Sequence, residues 1–252
     1  MRHSILALLL GLVVTQVARS QGGAPTEIAT LKSRGLARLV AFSPDGRLLA
    51  SAGYSSDIRI WDVTTARRLY TLRGHRARAI TYSPDGKLLA SSPGSQARLW
   101  DVQSGNQQVK LEIPIDSGIE LINYLAFRPD GKKLVGVCRG TEVKQGTVVI
   151  SWDTGTGKVT ESYKLDNDDR AQRLWLSADA GALARLVSAK GDRGGPYFLR
   201  VRDLASKKEF DISSKEPFSD DRFVAALSPD GKKAVIGNVL WDVTTGEAVL
   251  PR

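Results

Sequence analysis

The chain has 252 residues, a formal net charge of +9, 42% hydrophobic residues and 25% charged ones, a globular composition that excludes a disordered chain. One cysteine, Cys138, excludes an intramolecular disulfide framework and a thiolate zinc cage. Two histidines, His3 and His75, leave little imidazole for catalysis or metal binding.

Met1 to Ser4 is a short basic start, Ile5 to Val14 is an unbroken apolar run, and Thr15 to Ser20 turns polar with small residues at Ala18 and Ser20. That order is the pattern of a secretory signal peptide over residues 1–20, with cleavage expected after Ser20. The apolar run is about half of what a bilayer-spanning helix needs. No later stretch is long and apolar enough to span. The expectation is an exported protein, periplasmic or secreted, with no membrane span after cleavage. The remaining 34 basic and 27 acidic residues are intermingled rather than blocked on one element, which argues against a nucleic-acid partner.

Five copies of one pattern organise residues 21–252. Ser43-Pro44-Asp45-Gly46 recurs as Ser83-Pro84-Asp85-Gly86, Arg128-Pro129-Asp130-Gly131, the looser Ser177-Ala178-Asp179-Ala180-Gly181, and Ser228-Pro229-Asp230-Gly231. Each is followed by a second element: Ile60-Trp61-Asp62, Leu99-Trp100-Asp101, Ser151-Trp152-Asp153, Val201-Arg202-Asp203 and Leu240-Trp241-Asp242. The second-element aspartates are spaced by 39, 52, 50 and 39 residues, a period that denotes one repeated supersecondary unit.

Each unit reads as four short strands. In the first, Leu39–Phe42 is continuously apolar and is expected to be buried on both faces. Pro44-Asp45-Gly46 is turn chemistry, in which proline presets φ, aspartate bonds nearby backbone and glycine accepts positive φ. Leu48–Ala52, Ile58–Val63 and Arg68–Leu72 supply the other three strands. No segment sustains a helical period, so the fold class is all-β.

These residues resemble the WD-repeat family of β-propellers, whose blades end their third strand in Trp-Asp. The resemblance covers about residues 26–252. It implies a propeller of four-stranded antiparallel blades, five of which are visible, at roughly 36–73, 76–112, 121–166, 172–212 and 222–250. It also implies a buried network in which a Gly-His pair and a serine join the tryptophan. Only the second blade keeps most of it, with Gly74-His75, Ser91 and Trp100; the first retains Ser51 and Trp61, and the fourth has Arg202 at the tryptophan position. Glu27–Lys32 reads as an extra strand ahead of the first blade, of the kind that closes the ring in the family. The last blade has its own fourth strand at Glu247–Leu250. Either five blades close with one strand redundant, or the chain is an open arc whose terminal blade faces and edge invite self-association.

Strands of a meander reverse in turn, so the Ser-Pro-Asp-Gly turns share one rim with the turns after Trp-Asp. The other rim collects the blade connections. Its charge is uneven: Arg34, Arg38, Arg73, Arg76 and Arg78 lead into the first two blades, whereas acids including Asp166, Asp168 and Asp169 lead into the later ones. Opposed lobes of this kind suit the orienting of a protein partner. Asp166-Asn167-Asp168-Asp169 lacks the glycine and distal glutamate of a calcium loop, so no metal site is expected. His75 in a Gly-His context reads as structural, and no Gly-x-Ser-x-Gly elbow accompanies it. Neither a catalytic residue nor a cofactor is expected.

The reading that best fits these features is an exported, non-catalytic protein-binding or scaffold platform that uses its connection loops. Two others stand beside it: a propeller that binds or hydrolyses cell-envelope sugars or peptides, and a shortened repeat protein without independent function.

Overall fold

The computed structural model describes residues 13–14, 29–31, 37–54, 57–74, 76–113, 119–140, 146–165, 171–188, 197–212, 225–236 and 239–249, and their regular structure is entirely β. β1 (Val13–Val14) and β2 (Ala29–Thr30) pair antiparallel with each other. The remaining strands form five antiparallel meanders of four. The first holds β3 (Ala37–Phe42), β4 (Leu48–Gly53), β5 (Ile58–Asp62) and β6 (Arg67–Leu72). The second holds β7 (Ala79–Tyr82), β8 (Leu88–Ser92), β9 (Ala97–Asp101) and β10 (Gln107–Leu111). The third holds β11 (Ile119–Phe127), β12 (Lys133–Gly140), β13 (Thr147–Asp153) and β14 (Val159–Lys164). The fourth holds β15 (Ala171–Leu176), β16 (Ala182–Ser188), β17 (Tyr197–Asp203) and β18 (Glu209–Ile212). The fifth holds β19 (Ala225–Leu227), β20 (Lys233–Ile236), β21 (Val239–Asp242) and β22 (Glu247–Ala248).

The turns explain why the strands begin and end where they do. In the first sheet the Ser43 hydroxyl donates to Asp45 Oδ1 (2.6 Å) and accepts the Leu48 N–H (2.9 Å), while Asp45 Oδ1 accepts the Arg47 N–H (3.1 Å). Ser83/Asp85, Ser177/Asp179 and Ser228/Asp230 repeat the Ser–Asp bond. The aspartate that ends the third strand of each blade staples the next turn: Asp62 Oδ1 accepts the Thr65 N–H at 2.7 Å, and Asp101, Asp153, Asp203 and Asp242 do the same for Ser104, Thr156, Ser206 and Thr244. The two kinds of turn lie side by side on one rim, joined by Val63 N–H to Arg47 C=O (2.8 Å) and by the matching bonds Val102 to Lys87, Thr154 to Lys132 and Val243 to Lys232.

Side chains alternate across each sheet and therefore present two different faces. One carries the Trp position and a residue of the second strand; it packs on the preceding blade. The other carries a small or branched residue of the second strand and the residue before the Trp; it packs on the following blade. Ala50 and Ile60 of the first sheet share a core with Leu89 and Trp100 of the second. Ala90 and Leu99 of the second meet Leu134 and Trp152 of the third. Val135 of the third packs with Leu183 of the fourth, and Ala184 and Val201 of the fourth with Ala234 and Trp241 of the fifth. The first strands β3, β7, β11, β15 and β19 contact one another in that order, and among the described residues no contact of that extent joins the fifth sheet to the first.

The tryptophan network survives as packing more than as one fixed hydrogen bond. Trp61 Nε1 donates to Ser51 Oγ (2.8 Å) and Trp100 Nε1 to Ser91 Oγ (2.7 Å). In the third blade the serine position is Gly136, against which the Trp152 ring lies so closely that a Cβ there would sit 2.7 Å from it; Trp152 Nε1 donates instead to the Glu112 C=O (2.6 Å). In the fourth blade both positions are arginine. Arg185 and Arg202 converge on Glu209, with Nη2 and Nη1 at 2.7 and 3.0 Å from one carboxylate oxygen. In the fifth, Trp241 Nε1 is buried with no hydrogen-bond partner among the described residues.

One expectation for the first blade needs correction. Leu39–Phe42 is not buried on both faces: Leu39 and Ala41 pack toward the second blade, but Val40 and Phe42 are exposed, because no preceding blade covers them. The segment at 27–32, expected as an extra strand ahead of the blade, forms a strand at Ala29–Thr30, which pairs with Val13–Val14. Leu31 then packs over Leu49 and Trp61.

Three stability measurements follow from this arrangement. Ser91→Ala removes the hydroxyl that accepts from the buried Trp100 Nε1–H and should lower unfolding stability by about 1–3 kcal/mol in urea denaturation. Four residues after each Trp-Asp aspartate the backbone has positive φ; Gly105, Gly157 and Gly246 stand there in three blades, but Ala66 (φ 55°) and Lys207 (φ 61°) in the others. Ala66→Gly should therefore stabilise by about 0.5–1 kcal/mol, read as a higher melting temperature. The hydroxyl and amide donors around Asp45, Asp62, Asp85, Asp101, Asp153 and Asp230 hold these carboxyls below their ordinary range. A carboxyl depressed in the folded state stabilises it above the unfolded pKa and loses that contribution as pH falls through the folded value. The melting temperature should be level from neutral pH to about 5 and fall below about 4 in a pH series.

Candidate functional site

The connection rim carries a cleft of about 540 Å³ where the first three blades meet. Ser92, at the end of β8, builds its base. Its buried hydroxyl accepts the Ala79 N–H (3.1 Å) and donates to the Ile122 C=O (3.0 Å), tying the second blade to the third. The Arg78 N–H donates to the Ser92 C=O (2.7 Å) and the Ile122 N–H to the Gly94 C=O (2.9 Å). Leu39, Ala77, Pro93 and Leu121 give the cleft its apolar lining, with Asn123 beside them.

Three arginines and a tyrosine supply its chemistry. Arg38 is the extra residue where the pairing of β3 with β4 shifts register between Ala37 and Leu39, a β-bulge of the kind that redirects a side chain. Arg76 and Arg78 come from the connection between the first and second blades, and Tyr54 from the turn after β4. The Arg38 guanidinium lies 4.9 Å from the centroid of the Tyr54 ring and that of Arg76 lies 5.9 Å from it. Tyr54 thus holds two cations together at a cation–π distance. Arg38, Arg76 and Arg78 all line the cleft, and among the described residues no acidic side chain does. Three like charges in a concave wall with an apolar lining focus positive potential on whatever enters.

Of the rim residues singled out from the sequence, Arg38, Arg76 and Arg78 are brought together here. Arg73 is exposed beyond the end of β6 and does not line the cleft. Arg34, Asp166, Asp168 and Asp169 lie outside the described residues, as does His75. Tyr54 was not anticipated. Its signal was a single aromatic in a turn whose counterpart in the second blade is Gly94.

Cys138 is buried in β12, and burial pushes its thiol up to about 12. The Trp-Asp aspartates are turn staples. Among the described residues no group of three His, Cys, Asp or Glu side chains is placed to hold a metal ion, and no helix is long and apolar enough to cross a membrane.

The model of the family described as "WD domain, G-beta repeat" matches residues 30–62 and 66–101, the first two blades. WD repeat-containing protein 1-A of Xenopus laevis is 30% identical over 230 residues, covering 86% of this chain and 34% of that protein. Eukaryotic translation initiation factor 3 subunit I of Pyricularia oryzae is 29% identical over 114 residues, 44% of this chain and 32% of that one. The chain therefore spans about a third of the length of these curated relatives. Among solved structures, a chain of Kuenenia stuttgartiensis hydrazine synthase superposes with a TM-score of 0.70 at 16% identity, over 87% of this chain and 68% of that one, a likeness of fold alone. With repeat matches in the first two blades, a relative aligned across most of the chain and the same turn and face pattern in all five sheets, the chain belongs to the WD-repeat family.

Proposed function

We propose that this chain is an exported, non-catalytic protein-binding platform whose docking site is the Arg38/Arg76/Arg78 cleft, and that it takes an acidic segment of a partner protein. The observation that carries the proposal is the convergence of three guanidinium groups on one cleft with no acid in its lining among the described residues. Each guanidinium offers a planar fork matched to a carboxylate, and the exposed Tyr54 ring adds a flat apolar contact. WD-repeat proteins typically mediate protein interactions, and one relative is by name a subunit of a larger factor. Export rests on the basic start and apolar run of residues 1–20.

The experiment uses a labelled hexaglutamate peptide as probe and the chain tagged at its C-terminus, purified from its host. Binding by fluorescence anisotropy should weaken by about tenfold or more in the R38E/R76E/R78E variant, and should fall as salt rises. Arg73→Glu, outside the cleft, should bind like the parent. Equal binding by parent and triple variant would overturn the assignment of this cleft.

A further inference from the structure

We infer that the chain assembles head to tail, the outer face of the fifth blade of one copy docking on the outer face of the first blade of the next. The inference comes from comparing equivalent positions in the five repeats. On the face that meets the following blade, Ala50, Ala90, Val135 and Ala184 in the second strand are all buried, as are Ile60, Leu99 and Val201 before the Trp position. Their counterparts in the fifth blade, Val235 and Leu240, are 40% and 38% exposed. Val235 and Leu240 are cross-strand partners, Ala226 opposes Val235, and the Val249 N–H donates to the Leu240 C=O. Ala226, Val235, Leu240 and Val249 therefore cross the whole sheet as one exposed apolar row.

The first blade shows the complementary deficit. Tyr82 and Phe127 are buried against the preceding blade, whereas their counterpart Phe42 is 49% exposed. Leu125 and Ala225 are buried where Val40 is 50% exposed. Leu31 occupies part of this face, over Leu49 and Trp61, and leaves Val40 and Phe42 open.

The occupant is specified by the chain itself. These two faces are the two halves of a contact that the chain already makes four times, between each consecutive pair of blades. Among the described residues no contact of that extent joins the fifth blade to the first, and Val40, Phe42, Val235 and Leu240 stay exposed. A second copy offers to each open face the residue types that cover the same positions inside the arc. Such a contact is heterologous, and it either closes with a small number of copies or grows. It does not depend on the arginine cleft being a docking site.

Sedimentation velocity on the full chain over a wide concentration range tests this. The parent should sediment at twice the monomer mass or more. V40E/F42E, which spoils only the first-blade face, and V235E/L240E, which spoils only the fifth-blade face, should each be monomeric. All four side chains are exposed, so circular dichroism should show folded β-structure in both variants. Mixed together, the two variants retain one intact face of each kind and should form a dimer that grows no further. A monomeric parent at all concentrations, variants of unchanged mass, or a mixture that stays monomeric would overturn the inference; the first would leave the faces to blades on another polypeptide.

Discussion

The contact between neighbouring blades is the constraint on which this structure rests. A four-stranded meander with two apolar faces cannot satisfy both alone, and each sheet here solves half of its problem with each neighbour. The solution is asymmetric: a small second-strand residue such as Ala50 or Ala90 makes room, and the next blade's tryptophan and leucine fill it. Buried apolar area contributes about 25 cal/mol per Å², so a layer of this kind outweighs any single polar bond within it. That ordering explains why the tryptophan's hydrogen bond varies so freely. Serine accepts it in two blades, a backbone carbonyl in the third, and nothing among the described residues in the fifth, while the ring keeps its place.

The fourth blade shows the limit of that freedom. Its tryptophan and serine positions are both arginine, and a lone guanidinium in that layer would carry a large desolvation cost. The cost is contained because the two substitutions occur together and share Glu209 as counter-ion, with Arg202 also lying 5.3 Å from the Tyr163 ring centroid. Replacing Arg202 or Glu209 alone would change the charge balance around the buried Arg185, so the two arginine positions are physically coupled.

What could be read in the sequence was whatever repeats. A turn like Ser-Pro-Asp-Gly occurs in all five blades and Trp-Asp in four, and recurrence turns weak local propensities into a fold. The aspartates were legible as turn chemistry because their partners, Thr65 or Ser104, stand a few residues away. Arg76 and Arg78 were legible as rim charge, since they fall in a connection whatever the exact strand ends. Convergence on a cleft was not legible, because it depends on a one-residue bulge at Arg38 and on Tyr54, each without a repeated counterpart in the second blade. Burial at the ends of the array was illegible for a related reason. Val40 and Phe42 have the composition of a core strand, and exposure is decided by the presence of a neighbour, which local composition does not encode. The pairing of Ala29–Thr30 with Val13–Val14 likewise depends on a distant segment with no repeat signature.

The cleft and the open first-blade face meet on one strand. β3 supplies Arg38 to the cleft, and two and four residues further on it supplies Val40 and Phe42 to the uncovered face. A copy docked on that face packs against the strand whose bulge aims Arg38, and the guanidinium in turn is held by Tyr54. Any shift in the bulge on docking changes the spacing of the three arginines and hence their fit to a carboxylate. Linkage makes that relation reciprocal: an acidic ligand that favours one setting of Arg38 must bias assembly by the same free energy with which assembly biases the ligand. The strand that ends the array is thus also the one through which assembly and recognition can act on each other.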